Sequence, residues 1–279
     1  MSTPVTSTSE TGTAQGASVT PAVTAGAPRL ARPPGAVLLR SEHLLVGHGG
    51  RAILPPIDLT ISAGEIWTVL GRNGAGKTTW FRTLLGLARP LGGAIVRARP
   101  DLRVAYVPQR TQFDELYPVR VHEVVRMGAE RGRSVFGRSR VDVDGALTAV
   151  DALALRDRPF RALSEGQKQR VLLARVCAAR AELALLDEPT AAMDVVAERE
   201  AFSLLARLRA EHDMAVVVVS HYLDVARELA DKALLLDREG QSVVVGTPAQ
   251  VFDSETFHRA YGTSAEVCAH DSPPAVFHE

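Results

Sequence analysis

Gly71-Arg72-Asn73-Gly74-Ala75-Gly76-Lys77-Thr78-Thr79 is the stretch whose residue types and spacing specify chemistry most directly: a glycine, four residues, then Gly-Lys-Thr. Three glycines let the backbone turn tightly and aim several N–H groups into one concavity. The helix that follows adds the positive end of its dipole, so the concavity suits a polyphosphate. Lys77 is placed to meet β- and γ-phosphates as a point charge, and the Thr78 hydroxyl is a ligand for Mg²⁺. The competing reading is a chance glycine-rich turn. Composition argues against it: only three of the 32 basic residues are lysines (Lys77, Lys168 and Lys232), and one of them stands where a phosphate loop requires it.

A second constellation, Leu183-Ala184-Leu185-Leu186-Asp187-Glu188, sets two carboxylates at the end of an apolar run. At the carboxyl edge of an open α/β sheet, where ligands lie, Asp187 can hold Mg²⁺ directly or through water. Glu188 can then orient or deprotonate an attacking water. Alone, the pair would equally be a strand ending in a charged turn; beside a phosphate loop the catalytic reading prevails. Leu163-Ser164-Glu165-Gly166-Gln167 opens a helical stretch running to Ala178. Ser164 is a good N-cap, Gly166 admits close backbone approach, and a helix start of this kind can bind an anion. His221 follows the apolar run Val216–Val219 and Ser220. Without context, the first is an ordinary cap and the second an ordinary surface histidine.

Strands and helices must position these groups. Glu65–Leu70 reads as a short buried strand ahead of the loop, with a helix from Trp80 to about Leu87 after it. Further strands are expected at Val37–Arg40, Ile57–Ile61, Arg103–Val107, Leu183–Leu186, Ala215–Val219 and Ala233–Leu236. Turns fall at Gly47 to Gly50 and at Pro90–Gly93. Helices are expected at Val121–Gly128, Val143–Ala154, Gln167–Arg180, about 195–211 and 222–230. The near-continuous apolar character of the later strands suits parallel strands covered on both faces. The expected fold class is α/β: a phosphate-loop NTPase core with a helical insert between two of its strands. Residues 1–35, rich in Ser, Thr, Ala, Gly and Pro, form a tail with too little apolar surface to offset its ordering entropy. The folded domain covers 36–263, with the helical subdomain at about 110–180, and 264–279 form a C-terminal tail.

Composition bounds the function classes. The formal net charge is zero, which disfavours nucleic acid as a partner. Cys177 and Cys268 are too few for a disulfide framework, and a reduced cytoplasmic setting follows. The most apolar run, Met214–Val219, falls far short of the roughly 20 residues needed to span a bilayer. The N-terminus has neither the charged start nor the apolar core of a secretory signal. A membrane role would therefore operate through a partner.

From about residue 37 to 262 the sequence resembles the ATP-binding-cassette (ABC) ATPases, the nucleotide-binding subunits of membrane transporters. Gly71–Thr79 is similar to Walker A, Gln109 in Tyr106-Val107-Pro108-Gln109 to the Q-loop, and Leu163–Gln167 to the signature, with Glu165 where glycine is commonest. Asp187 and Glu188 match Walker B and its catalytic glutamate; Ala191–Asp194 resembles the D-loop and His221 the switch histidine. The resemblance implies an ABC-type core with an N-terminal antiparallel β subdomain and a head-to-tail homodimer. ATP would be sandwiched between Walker A of one subunit and Ser164, Gly166 and Gln167 of the other. Glu188 would act as base on the water, and His221 would contact the γ-phosphate. Gln109 would contact Mg²⁺ and transmit the nucleotide state to an integral membrane permease at the cytoplasmic face of the membrane. One departure concerns adenine: where the family carries a stacking aromatic, this chain has His48, whose imidazole offers less apolar area. Weaker or less selective adenine binding is expected.

Residues beyond Gln109 sharpen the resemblance. Tyr106–Arg110, Asp114, Tyr117-Pro118-Val119, Val121–Gly128, Val245–Val251 and Tyr261-Gly262 are similar to the ATPases of zinc and manganese importers. The closing stretch is shared with ATPases of iron-chelate and haem importers. The resemblance implies a metal-ion importer, zinc or manganese first, with a solute-binding protein in the complete system. Soluble cassette proteins of ribosomes or DNA typically carry two cassettes or a long coiled-coil insert, and this chain has room for neither. A nucleotide switch without turnover sits poorly with Glu188 and His221. Cys268, His270, Asp271 and His278 are metal-ligand types, but their spacing matches no standard site, and a polar tail is the better reading.

Overall fold

The computed structural model describes residues 35–109, 118–129, 141–189, 195–220 and 223–262. In chain order these form β1 (Val37–Leu45), β2 (Gly47–His48), β3 (Arg51–Ala52), β4 (Ile57–Ser62), β5 (Ile66–Leu70), α1 (Lys77–Leu84), β6 (Gly92–Arg97) and β7 (Val104–Val107). Then follow α2 (Val121–Met127), α3 (Val143–Thr148), α4 (Glu165–Ala178), β8 (Leu183–Leu186), α5 (Val195–His212) and β9 (Ala215–Val219). The chain continues through α6 (Leu223–Leu229), β10 (Lys232–Asp237), β11 (Ser242–Gly246), α7 (Pro248–Phe252) and α8 (Glu255–Tyr261). The expected terminal tails and D-loop, and His221, Arg110, Asp114 and Tyr117, lie outside the described residues.

β1 pairs antiparallel with β4 on one side and β6 on the other, while a second sheet runs in the order β11-β10-β5-β9-β8-β7. From β10 to β7 the neighbours in that sheet are parallel, and only β11 is antiparallel to its neighbour. The period-2 alternation of the strands divides the interior. Leu183, Leu185, Val217 and Val219 face the antiparallel sheet and the α1 side chains Trp80, Phe81 and Leu84. Ala184, Leu186, Val216 and Val218 face α2, α3, α4 and α5. Strands covered on both faces explain why β5, β8 and β9 are buried at every position.

Register fixes the functional edge. Val69 pairs with Val219, Leu186 with Val218, and Val107 with Leu186, so β5, β9, β8 and β7 end together. The phosphate loop, Ser220, Asp187-Glu188 and Pro108-Gln109 therefore emerge side by side.

Several element boundaries differ from expectation, each for a local reason. The helix after the phosphate loop stops at Leu84 rather than Leu87. Gly86, at φ 77°, closes it, with the Gly86 N–H on the Thr83 carbonyl and the Leu87 N–H on the Arg82 carbonyl. The helix expected to reach Ala154 stops at Thr148, because Asp151 at φ 55° turns the chain back, with the Ala152 N–H on the Leu147 carbonyl. Arg207 then binds the Ala149 carbonyl, at 2.7 Å, and the Asp151 carboxylate, at 3.0 Å. The signature helix begins at Glu165, two residues early, since Ser164 and Gln167 cap it reciprocally. The Pro90–Gly93 turn runs into β6, which sequence patterning missed because the strand is largely exposed and does not alternate. β11, α7 and α8 likewise fall outside the elements expected from patterning. Thr247, Pro248 and Gln250 nevertheless form a capping box with proline in the first turn of α7.

Candidate active site

At the open edge a cleft of about 260 Å³ is lined by residues 73–79 together with His48, Ile53, Glu188 and Arg238. Gly76 caps α1 at φ 104°, and a Cβ there would stand 2.9 Å from Ile53 Cδ1, so only glycine fits. α1 thus begins at Lys77 with no side-chain cap, at residues that line the cleft, and a helix start of this kind is a ready anion site.

Lys77 is 6% exposed, and its ammonium is met from three sides. Nζ donates to the Gly71 carbonyl at 2.7 Å and to the Arg72 carbonyl at 3.4 Å, and Glu188 Oε1 lies 3.6 Å away. Burial pushes the lysine pKa down, and the Glu188 and Asp187 carboxylates oppose that shift. The charge is held among acceptors that phosphate oxygens can replace.

Asp187 is 2% exposed. Its Oδ2 accepts from the Thr78 hydroxyl at 2.8 Å and from the Tyr106 hydroxyl at 3.2 Å. Burial raises the Asp187 pKa, and the two hydroxyl donors hold it back. Burial, helped by the Asp187 carboxylate beside it, raises the Tyr106 phenol to about 12. Glu188 sits at φ 48°, a left-handed conformation costing a non-glycine residue about 1–2 kcal/mol. Its Oε1 faces Lys77, and its Oε2 accepts from the Gln109 carboxamide.

Lys77 and Thr78 at the start of α1 thus meet groups from two strand ends: Thr78 with Asp187, and Lys77 with Glu188, which also holds Gln109. His48 stands at the mouth of the cleft with Nε2 2.9 Å from Thr79 Oγ1. Gly71 and Arg72 do not line the cleft. The Gly71 N–H donates to the Tyr261 hydroxyl at 2.7 Å, and Arg72 pairs with Glu239 at 3.6 Å. Ser164, Gly166 and Gln167 are also absent from the lining residues. They sit at the start of α4, where Ser164 Oγ accepts from the Gln167 N–H at 3.4 Å and Gln167 Oε1 from the Ser164 N–H at 3.2 Å. Sequence reasoning missed Tyr106, Tyr261, Ile53 and Arg238 as contributors. Tyr106 could have been found, since a hydroxyl on a buried strand three residues before Gln109 needs a polar partner. Among the described residues, no group of three or more His, Cys, Asp or Glu side chains could hold a metal ion, and no helix is long and apolar enough to cross a membrane.

Fold and site together define a phosphate-loop nucleotide-binding protein. A family model described as ABC transporter matches residues 54–191. The zinc import ATP-binding protein ZnuC of Pseudomonas entomophila (strain L48) is 38% identical over 232 residues, covering 83% of this chain and 86% of that protein. The hemin import ATP-binding protein HmuV of Rhodococcus jostii (strain RHA1) is 39% identical over 255 residues, covering 86% of this chain and 85% of that protein. Among solved structures, a chain of an inward-facing ABC transporter assigned to the metal-chelate type superposes with a TM-score of 0.73 at 30% identity, covering 81% of this chain and 89% of that one. The chain belongs to the ABC transporter family, as an ATP-binding subunit with ATPase activity.

Proposed function

We propose that two copies of this chain close head to tail on MgATP and hydrolyse it to power zinc or manganese import through a separate membrane permease, from the cytoplasmic face. A solute-binding protein delivers the ion. The observation that carries this reading is the cluster at the sheet edge, where Lys77 and Thr78 of the phosphate loop meet Asp187 and Glu188. The cleft has one wall from the phosphate loop and none from Ser164, Gly166 and Gln167. A second copy supplies that missing wall.

Thr78 Oγ1 and Asp187 Oδ2, 2.8 Å apart, are hard oxygen donors of the kind Mg²⁺ takes, and the Gln109 carboxamide oxygen is a third of the same type. When bound there, Mg²⁺ neutralises charge on the phosphates. The chain's own residues do the rest. Backbone N–H groups of 73–79 cradle the phosphates, and Lys77 exchanges carbonyl contacts for phosphate oxygens. Glu188, released from Lys77, takes a proton from the attacking water, and His221 contacts the γ-phosphate. The zinc import relatives support a zinc substrate. Haem import is the second reading, favoured by the hemin import relative, whose alignment is longer.

Glu188→Gln keeps shape and removes the base. Turnover should fall by about 100-fold or more, while ATP remains bound and the protein runs as a dimer in size-exclusion chromatography with MgATP. Undiminished hydrolysis would refute the base assignment, and a strictly monomeric variant would refute the sandwich.

A further inference from the structure

The phosphate loop is gripped from the side away from the nucleotide. At its first residue, Gly71, φ is 148°, and a Cβ would stand 2.6 Å from the Leu236 carbonyl oxygen. The Gly71 N–H does not serve the cleft: it donates to the hydroxyl of Tyr261, 190 residues later at the end of α8, at 2.7 Å. Behind the loop lies a second cavity of about 320 Å³, with Arg72, Asn73, Gly74 and Ala75 on one side and the β10–β11 turn and Ala260 on the other. Residues 72–75 thus border open space on this side, and polar contacts there bear directly on the loop's position. Across that gap the Arg72–Glu239 pair is solvent-exposed and weak. The phenol hydroxyl is the firm contact, because the Tyr261 ring stacks on Phe257 at 4.9 Å. Phe257 shares a buried cluster with Leu70 and Leu235. Burial raises the phenol to about 12, so it stays protonated through the physiological range.

We propose that Tyr261 is a positioning residue for ATP binding: its hydroxyl fixes the Gly71 amide and thereby presets the phosphate loop in its receptive shape. This rests on reading residues 71–79 as the phosphate-binding loop. A hydrogen bond to a half-buried ring stacked on Phe257 lowers the ordering cost that the loop would otherwise meet on binding. The contribution falls on affinity, since Tyr261 touches none of the reacting groups.

Tyr261→Phe keeps the stack and removes the hydroxyl. The Kd for MgATP should rise about 5- to 10-fold, with kcat at saturating ATP within about twofold of the parent. Hydrogen exchange should find the Gly71 amide protected in nucleotide-free wild type and fast in the variant. An unchanged Kd together with unchanged Gly71 exchange would overturn the proposal. If the variant does not fold, the wild-type measurement decides, because a rapidly exchanging Gly71 amide excludes the contact. Lys77→Ala separates the two readings: if it abolishes ATP binding while Tyr261→Phe is silent, only the positioning role fails. If Lys77→Ala binds ATP normally, the loop assignment itself fails.

Discussion

An ammonium taken out of water is tolerable only when its donors are met, and Lys77 shows how a buried charge can remain ready for a ligand. Its partners are two backbone carbonyls and the Glu188 carboxylate, all of which phosphate can replace. His48 presents a different case. Its ring is tethered to Thr79 at the cleft mouth, a position suited to an adenine base, but imidazole has less stacking area than phenol. His48→Tyr is expected to tighten ATP binding about 2- to 10-fold and to sharpen ATP over GTP selectivity, as read by competition with a fluorescent nucleotide. No change in either would remove His48 as the adenine platform. At this scale the sequence was most informative: Lys77, Thr78, Asp187 and Glu188 were all legible from residue type and spacing. Tyr261 was not, because its partner Gly71 is remote in sequence and nothing local to α8 marks a hydroxyl aimed at a backbone amide.

At the scale of elements, α8 is fastened to the end of β10 by polar contacts as well as by its apolar face. Arg259 Nη2 donates to Asp237 Oδ2 at 2.8 Å, while Asp237 Oδ1 accepts the Gly240 N–H at 2.9 Å. Burial pushes the Asp237 pKa up, but the Gly240 amide and Arg259 outweigh it and leave the group below its ordinary value of 3.8. A depressed folded-state pKa stabilises the native state above the ordinary value and loses that contribution as pH falls through the depressed one. Asp237→Asn should therefore cost about 1–2 kcal/mol in urea unfolding at neutral pH. The gap between variant and parent should close as pH drops below 3.8. A gap that persists in acid would mean that the carboxylate charge is not what holds α8. These closing elements were harder to read than the central strands. β11 is only partly buried and α8 is short, so neither shows the apolar periodicity that marks β8 or β9.

For the whole molecule, function depends on what meets the chain from outside. The cleft is walled on one side by the phosphate loop, and Ser164 and Glu165 stand exposed at the start of α4. That arrangement is what the proposed head-to-tail pairing uses. The import assignment is tested in cells. Deleting this protein should lower zinc accumulation under chelation severalfold and leave hemin-supported growth intact, with zinc uptake restored by the parent but not by Glu188→Gln. Loss of hemin-supported growth with normal zinc accumulation would move the assignment to haem.

What the sequence determined by itself was chemistry carried by contiguous residues: a phosphate loop, a carboxylate pair closing an apolar strand, and a capped helix start. Such motifs are local, and backbone conformation with nearest neighbours is enough to specify them. Tertiary structure alone decided which remote residues complete the site. Parallel register sets Gln109 beside Glu188 and Tyr106 beside Asp187. The closing helix brings Tyr261 to Gly71, and α5 brings Arg207 to the Ala149 carbonyl at the end of α3. These contacts depend on how buried apolar faces stack, and composition and spacing along one chain carry no direct record of that.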